Sequence, residues 1–250
     1  MFNIHCPLGH YGAHAHMPFE ITENTKKLRR YMEDHIMSAG YPPSFAQMKM
    51  DLPLTQQEVW DSLQQLHLGV QVMFVPGTQS IGKMPPFSFY ATRHRVHLAD
   101  GRNFYAGCAG EASAFSAQFP GIECRVESDS PARWEKIVSV WKNGTLISVT
   151  PSTTVIHIGM HPSEWSKQMI IACDRINFFT SPEEVREWEA AVPETKGIIL
   201  PIEKAQEWVA FIATQRYHNY DRGPDVAGPE LVQQILGGWR KLGADLSNWT

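Results

Sequence analysis

The chain has 250 residues, 43% hydrophobic and 19% charged, which is enough apolar material for one large domain or two small ones and too much for a disordered chain. A formal net charge of −4 argues against a protein whose main task is gripping a nucleic-acid backbone. No apolar stretch approaches the roughly 20 residues that span a bilayer, and Cys6, Cys108, Cys124 and Cys173 are too scattered for a disulfide framework or a paired-cysteine zinc site.

Reduced thiols with separate roles are therefore expected, and the amino terminus lacks the basic-then-apolar order of a secretory signal. A cytoplasmic protein with neither nucleic acid nor membrane as partner fits these features. Residues 1–19 carry His5, Cys6, His10, His14 and His16 among Gly, Pro and Ala without periodicity, and read as a flexible arm rather than a specific site for soft or borderline metals.

Residues 20–86 have the order of a winged helix-turn-helix domain. Leu28, Tyr31, Met32, His35 and Ile36 recur at helical spacing before Gly40, with Lys26-Lys27-Leu28-Arg29-Arg30 as a solvated face. Ser44 caps a short helix through Met50, and a Thr55/Glu58 capping box starts a third that carries Val59, Leu63 and Leu66 and ends at Gly69. Val70 to Val75 reads as a strand with Pro76-Gly77 as its turn. The third helix holds Glu58, Asp61 and glutamines but no Lys or Arg, so a packing scaffold is expected rather than a DNA reader.

Phe87 to Leu98 alternates as a strand, and Asp100-Gly101 folds the next one back. Further strands are expected at Ile122 to Ser128, Lys136 to Trp141, Thr145 to Thr150 and Val155 to Ile158, with an Asn143-Gly144 hairpin turn. His157 and His161 share zinc-ligand spacing only on a helix, and their surroundings look extended. Met169 to Phe179 reads as a buried strand, and Ser181-Pro182-Glu183-Glu184 starts a helix to about Ala191. Ile202 to Tyr217 is an amphipathic helix. Beyond a Gly/Pro-rich connector from Asn219, a short helix near Glu230 to Gly237 is expected to pack as an appendage or stay partly loose.

Chemistry concentrates in Asn103-Phe104-Tyr105-Ala106-Gly107-Cys108-Ala109-Gly110-Glu111, where a strand hands over to a helix. Helix N-termini favour a thiolate over a thiol, and i, i+3 spacing places Cys108 and Glu111 on one face. Read alone, Cys108 and Cys173 are as easily buried small hydrophobes, and Glu111 an ordinary first-turn acid.

Taken with Cys173-Asp174-Arg175-Ile176-Asn177-Phe178-Phe179, this order of pieces resembles the organomercurial (alkylmercury) lyase family over about residues 25 to 217. That family carries a Tyr-x-x-Cys-Ala-x-Asp segment and a later cysteine upstream of a Phe-Phe pair. The resemblance implies an α+β fold: an N-terminal winged helix-turn-helix-like region, then a mixed or antiparallel β-sheet core flanked by helices. It implies a catalytic domain at residues 87–217 and a C-terminal extension at 218–250. Cys108, Glu111 and Cys173 fall on the catalytic positions, and Cys124 near a family cysteine regarded as structural.

The implied reaction is thiolate capture of R–Hg⁺ by Cys108 and Cys173, which suits so soft an ion, followed by protonolysis of the carbon–mercury bond through Glu111. The products are a hydrocarbon and bound Hg(II). No cofactor is required, and cellular thiols or a mercuric reductase collect the metal. Three positions depart from the family pattern: Glu111 replaces Asp, Gly107 replaces a bulky aromatic and leaves a pocket either more open or filled from elsewhere, and Asp174 follows Cys173 where some members have another cysteine. The alternatives are a non-catalytic soft-metal (mercury or copper) thiolate-binding protein, and a lyase-like fold redirected to acid–base chemistry on another small molecule.

Overall fold

The structure is a computed structural model that describes residues 21–75, 77–165, 169–212 and 229–249. The histidine-rich arm and the connector after Ile212 lie outside these residues. None of the described helices is long and apolar enough to cross a membrane.

Local capping places the first three helices as their sequence signals require. Thr22 accepts a hydrogen bond from the Thr25 N–H to start α1 (Glu23–Ala39), and Gly40 ends it at φ 84°, where a side chain is disfavoured. Ser44 and Gln47 box the start of α2 (Phe45–Asp51), and Thr55 and Glu58 that of α3 (Gln56–Leu68). Leu28, Met32 and Ile36 of α1 are fully buried in the main core with Val59, Leu63 and Leu66 of α3. The basic stretch of α1 is not wholly solvated: Arg29 is 3% exposed and pairs with Glu33 at 3.0 Å one turn later. The i, i+4 spacing supplies the partner without which burying the guanidinium would be costly.

A hairpin of β1 (Met73–Phe74) and β2 (Ile81–Met84) follows, and β2 continues into the main sheet by pairing with β3 (Phe87–Ser88). The remaining strands are β4 (His94–Leu98), β5 (Asn103–Ala106), β6 (Glu123–Asp129), β7 (Lys136–Lys142) and β8 (Thr145–Thr150), with α4 (Ala109–Ala114) leaving the end of β5. Their order is β1-β2-β3-β5-β4-β6-β7-β8, and every pairing is antiparallel. Asn143 and Gly144, at φ 52° and 77°, turn β7 into β8. A second antiparallel sheet has the order β10-β9-β11, from β9 (Val155–Ile158), β10 (Ile176–Phe179) and β11 (Ile198–Pro201). The helices α5 (Met169–Asp174), α6 (Pro182–Ala191), α7 (Ile202–Ile212) and α8 (Pro229–Lys241) complete an α+β fold.

Three stretches differ from the sequence reading. The Phe87 to Leu98 strand is two strands separated by a loop that lines a cleft. The apolar run from Met169 is the helix α5 followed by β10: Met169, Ala172 and Cys173 are buried at i, i+3 and i+4, whereas Ile170 and Ile171 are exposed. A continuous apolar run hides that helical periodicity because its solvent-facing residues are also apolar. The C-terminal segment is no appendage, since Trp239 of α8 is 1% exposed and Ile235, Leu242 and Leu246 join the main core.

His94 ties the two sheets together. It is 3% exposed, its Nδ1 lies 2.8 Å from Ser128 Oγ, and its ring meets Phe178 of β10 edge-on at 5.6 Å. Burial, helped by the charges of Arg93 and Lys83, pushes its pKa down to about 3. The unfolded chain therefore binds a proton the folded one refuses. Stability is full above the ordinary histidine value and falls as pH drops from about 6.5 towards about 3. Urea melts are expected to show this group costing about 2 kcal/mol between pH 7 and pH 5, a loss that His94→Gln removes.

Candidate functional site

The end of β5 and the start of α4 build one wall of the site. Cys108 is the N-cap of α4, with extended backbone, and its Sγ accepts the Glu111 N–H at 3.4 Å. A cysteine thus stands where serine or aspartate usually caps, which aims its sulfur along the face that carries Glu111. Cys173 arrives from α5 on the opposite side. The Sγ atoms of Cys108 and Cys173 and a carboxylate oxygen of Glu111 all lie within 4.8 Å of one another. The three residues are 5%, 4% and 3% exposed, so the groups singled out from the sequence converge in a nearly dry pocket.

The fourth member was not read from the sequence. Lys83 of β2 is 1% exposed, and its Nζ donates to Cys173 Sγ at 2.9 Å and stands 3.7 Å from Glu111 Oε2. The available signal was a lone lysine among Ile81, Gly82 and Met84 in an otherwise apolar strand. Gly107 makes room for it. A Cβ on that residue would fall 2.1 Å from Lys83 Nζ and 2.2 Å from Glu111 Oε2, so the space beside this glycine is not open but filled by these two side chains. The longer reach of Glu111 relative to aspartate is part of the same filling.

Electrostatics divide the two thiols. At Cys173 the hydrogen bond from Cys108 and the Lys83 ammonium outweigh burial and hold the pKa below the ordinary thiol value. At Cys108 that same hydrogen bond, then burial and the Glu111 charge, push the pKa well up. Of the two sulfurs, Cys173 is thus the one biased towards giving up its proton and Cys108 the one biased towards keeping it. Burial works against the charge on Lys83, but Cys173, Glu111 and Cys108 together raise its pKa above the usual lysine range, so it stays an ammonium. Glu111 Oε2 is buried without a hydrogen-bond partner among the described residues.

Cys124 is not part of this group. It lies on β6 in the sheet core, its thiol pushed up to about 12 chiefly by burial. His157 is committed to Glu189 at 3.0 Å and His161 to Ser163 at 2.7 Å. A cleft of about 520 Å³ opens onto the site, with Gly107 and Cys173 in its lining. From behind, Trp208 of α7 closes the pocket: a Cβ on Gly110 would lie 3.0 Å from its ring.

The sequence model of the alkylmercury lyase family matches residues 87–213. Alkylmercury lyases of Bacillus cereus and Clostridium butyricum are each 30% identical over 116 residues, which is 46% of this chain and 51% of the relative. The chain thus spans about half the length of the curated relatives it matches. A crystal structure of the mercury-bound form of MerB2 superposes with a TM-score of 0.64 at 19% identity, over 78% of this chain and 92% of that one, a likeness of fold. With more than half of its 250 residues inside the family model, the chain belongs to the alkylmercury lyase family.

Two substitutions test the electrostatic arrangement. Lys83→Met is expected to move the pH profile of Cys173 alkylation by iodoacetamide upward, because a neighbouring cation is lost. Gly107→Ala, which forces Lys83 and Glu111 out of their shared space, is expected to cost about 1–3 kcal/mol in urea unfolding as overpacking does.

Proposed function

We propose that the protein cleaves the carbon–mercury bond of organomercurials by protonolysis. The observation that carries this reading is the convergence of two thiols and a carboxylate within 4.8 Å inside a buried pocket with a cleft leading to it. Family membership supports the reaction class, and the geometry supports the assignment of roles.

Cys173 is the first nucleophile, because the Lys83 ammonium beside it favours its ionised form. It takes R–Hg⁺ from the incoming thiol complex, forming the sulfur–mercury bond as the carrier thiolate leaves. The Cys108 proton then passes to the Glu111 carboxylate, and the resulting Cys108 thiolate becomes the second sulfur ligand. Two thiolates push electron density through mercury onto the bound carbon. Glu111 returns the proton to that carbon as its bond to mercury breaks, releasing R–H and leaving Hg(II) on the two sulfurs. Proton and charge balance over the cycle. Lys83 holds the compensating positive charge throughout and donates a hydrogen bond to Cys173. The reaction calls for no resident cofactor, and small thiols or a mercuric reductase would collect the metal.

The test is release of benzene from phenylmercury in excess thiol. Wild-type protein is expected to turn over, and Cys108→Ser and Cys173→Ser to abolish release. Glu111→Gln is expected to bind phenylmercury normally while slowing release by about 10²- to 10⁴-fold, the usual worth of a positioned acid. Tight mercury binding by the wild type with no hydrocarbon released would reject the lyase activity in favour of a thiolate-binding role.

A further inference from the structure

The cleft that reaches Cys173 is bordered by apolar side chains exposed beyond any need of the fold. Trp134 is 67% exposed, Tyr90 43%, Ile170 42% and Ile171 41%, and all four line this one cleft. Trp134 is also held in an unfavourable backbone conformation, at φ 58°, which a bulky residue rarely adopts. Its N–H bonds to Ser130 O at 3.0 Å, the Ser130 N–H bonds to Glu135 O at 2.9 Å, and the Glu135 N–H bonds to Ser130 Oγ at 3.1 Å. The turn is fastened around the strained residue, which fixes the direction in which its side chain leaves the backbone. Arg93, also in the cleft lining, sets its guanidinium carbon 4.5 Å from the centre of the indole and leaves most of the side chain open.

The facing wall comes from α5. Ile170 precedes Cys173 by three residues, one helical turn along the same side, so the thiol and the apolar rim belong to one rigid element. A cleft of about 520 Å³ is within the range of small-molecule pockets. A methyl group on mercury would leave nearly all of it to water, whereas an aryl ring would displace water from aromatic and aliphatic walls.

We propose that Trp134, backed by Arg93 and faced by Ile170 and Ile171, is a subsite for the organic group of the substrate and selects arylmercurials over short alkylmercurials. The proposal rests on the reading of Cys108 and Cys173 as the thiols that take mercury. It assigns Trp134 to specificity and gives it no part in bond cleavage, since it is largely exposed whereas Cys108, Glu111 and Cys173 are buried.

The experiment compares phenylmercury and methylmercury on the full chain, by competition binding against a small thiol and by turnover. Trp134→Ala is a surface substitution and is expected to weaken phenylmercury binding by about tenfold, the scale of one aromatic contact with its buried area. Methylmercury binding should stay within about twofold. In turnover, KM for phenylmercury should rise with kcat unchanged, and Trp134→Phe should restore most of the loss. A phenyl-to-methyl binding ratio that is the same in Trp134→Ala and wild type overturns the subsite, whether or not the protein turns over. A Trp134-dependent ratio with no hydrocarbon released by the wild type supports the subsite and rejects the lyase reading instead. Absence of phenylmercury binding by the wild type overturns both.

Discussion

A lysine ammonium enclosed between the Cys173 sulfur and the Glu111 carboxyl sets the terms for everything around it. Removing an ammonium ion from water costs several kcal/mol unless partners replace its hydration. Here Cys173 and Glu111 do so, at 2.9 and 3.7 Å. The consequence runs both ways. The lysine favours the ionised form of Cys173, while burial and the Glu111 charge favour the protonated form of Cys108. The two thiols are thereby biased apart, one towards nucleophile and the other towards proton source. Because Lys83 comes from β2, which pairs with both β1 and β3, the N-terminal helices and their hairpin contribute directly to the site.

The opposite side of the pocket depends on close packing of aromatic rings. Gly110 lets Trp208 lie against α4, and Trp208 in turn meets Trp239 of α8 at 5.6 Å in an edge-to-face contact. Trp239 also packs on Trp165 and Trp249, at 5.8 and 5.7 Å. The helix that carries Glu111 is only six residues long and would hold its shape poorly alone. Its position is secured by this stack, which is why burial extends to the last described helix and beyond it.

Local signals made much of this legible. Caps and glycines marked α1, α2, α3 and α6 because those signals act within a few residues, and the Asn143-Gly144 turn fixed its hairpin for the same reason. Cys108, Glu111 and Cys173 were recognisable together only through the family likeness, since no spacing rule links residues brought from separate elements. Lys83 escaped because a lysine in a strand normally points to solvent, and its partners lie 90 positions away in Cys173 and on another element in Glu111. Trp134 escaped for a related reason: its meaning lies in a backbone angle and in a neighbour across the sheet. The α5 helix was misread because its outward residues serve the cleft and so did not show the polar face by which surface helices are recognised.

The missing side chain at Gly107 has a consequence for reading related chains. An atom placed there would sit within 2.2 Å of both Lys83 Nζ and Glu111 Oε2, so the three positions cannot vary one at a time. A larger residue at 107 therefore has to come with a change at 83 or 111, because the three side chains share one volume. The glycine is as much a condition for an internal cation as the lysine that carries it.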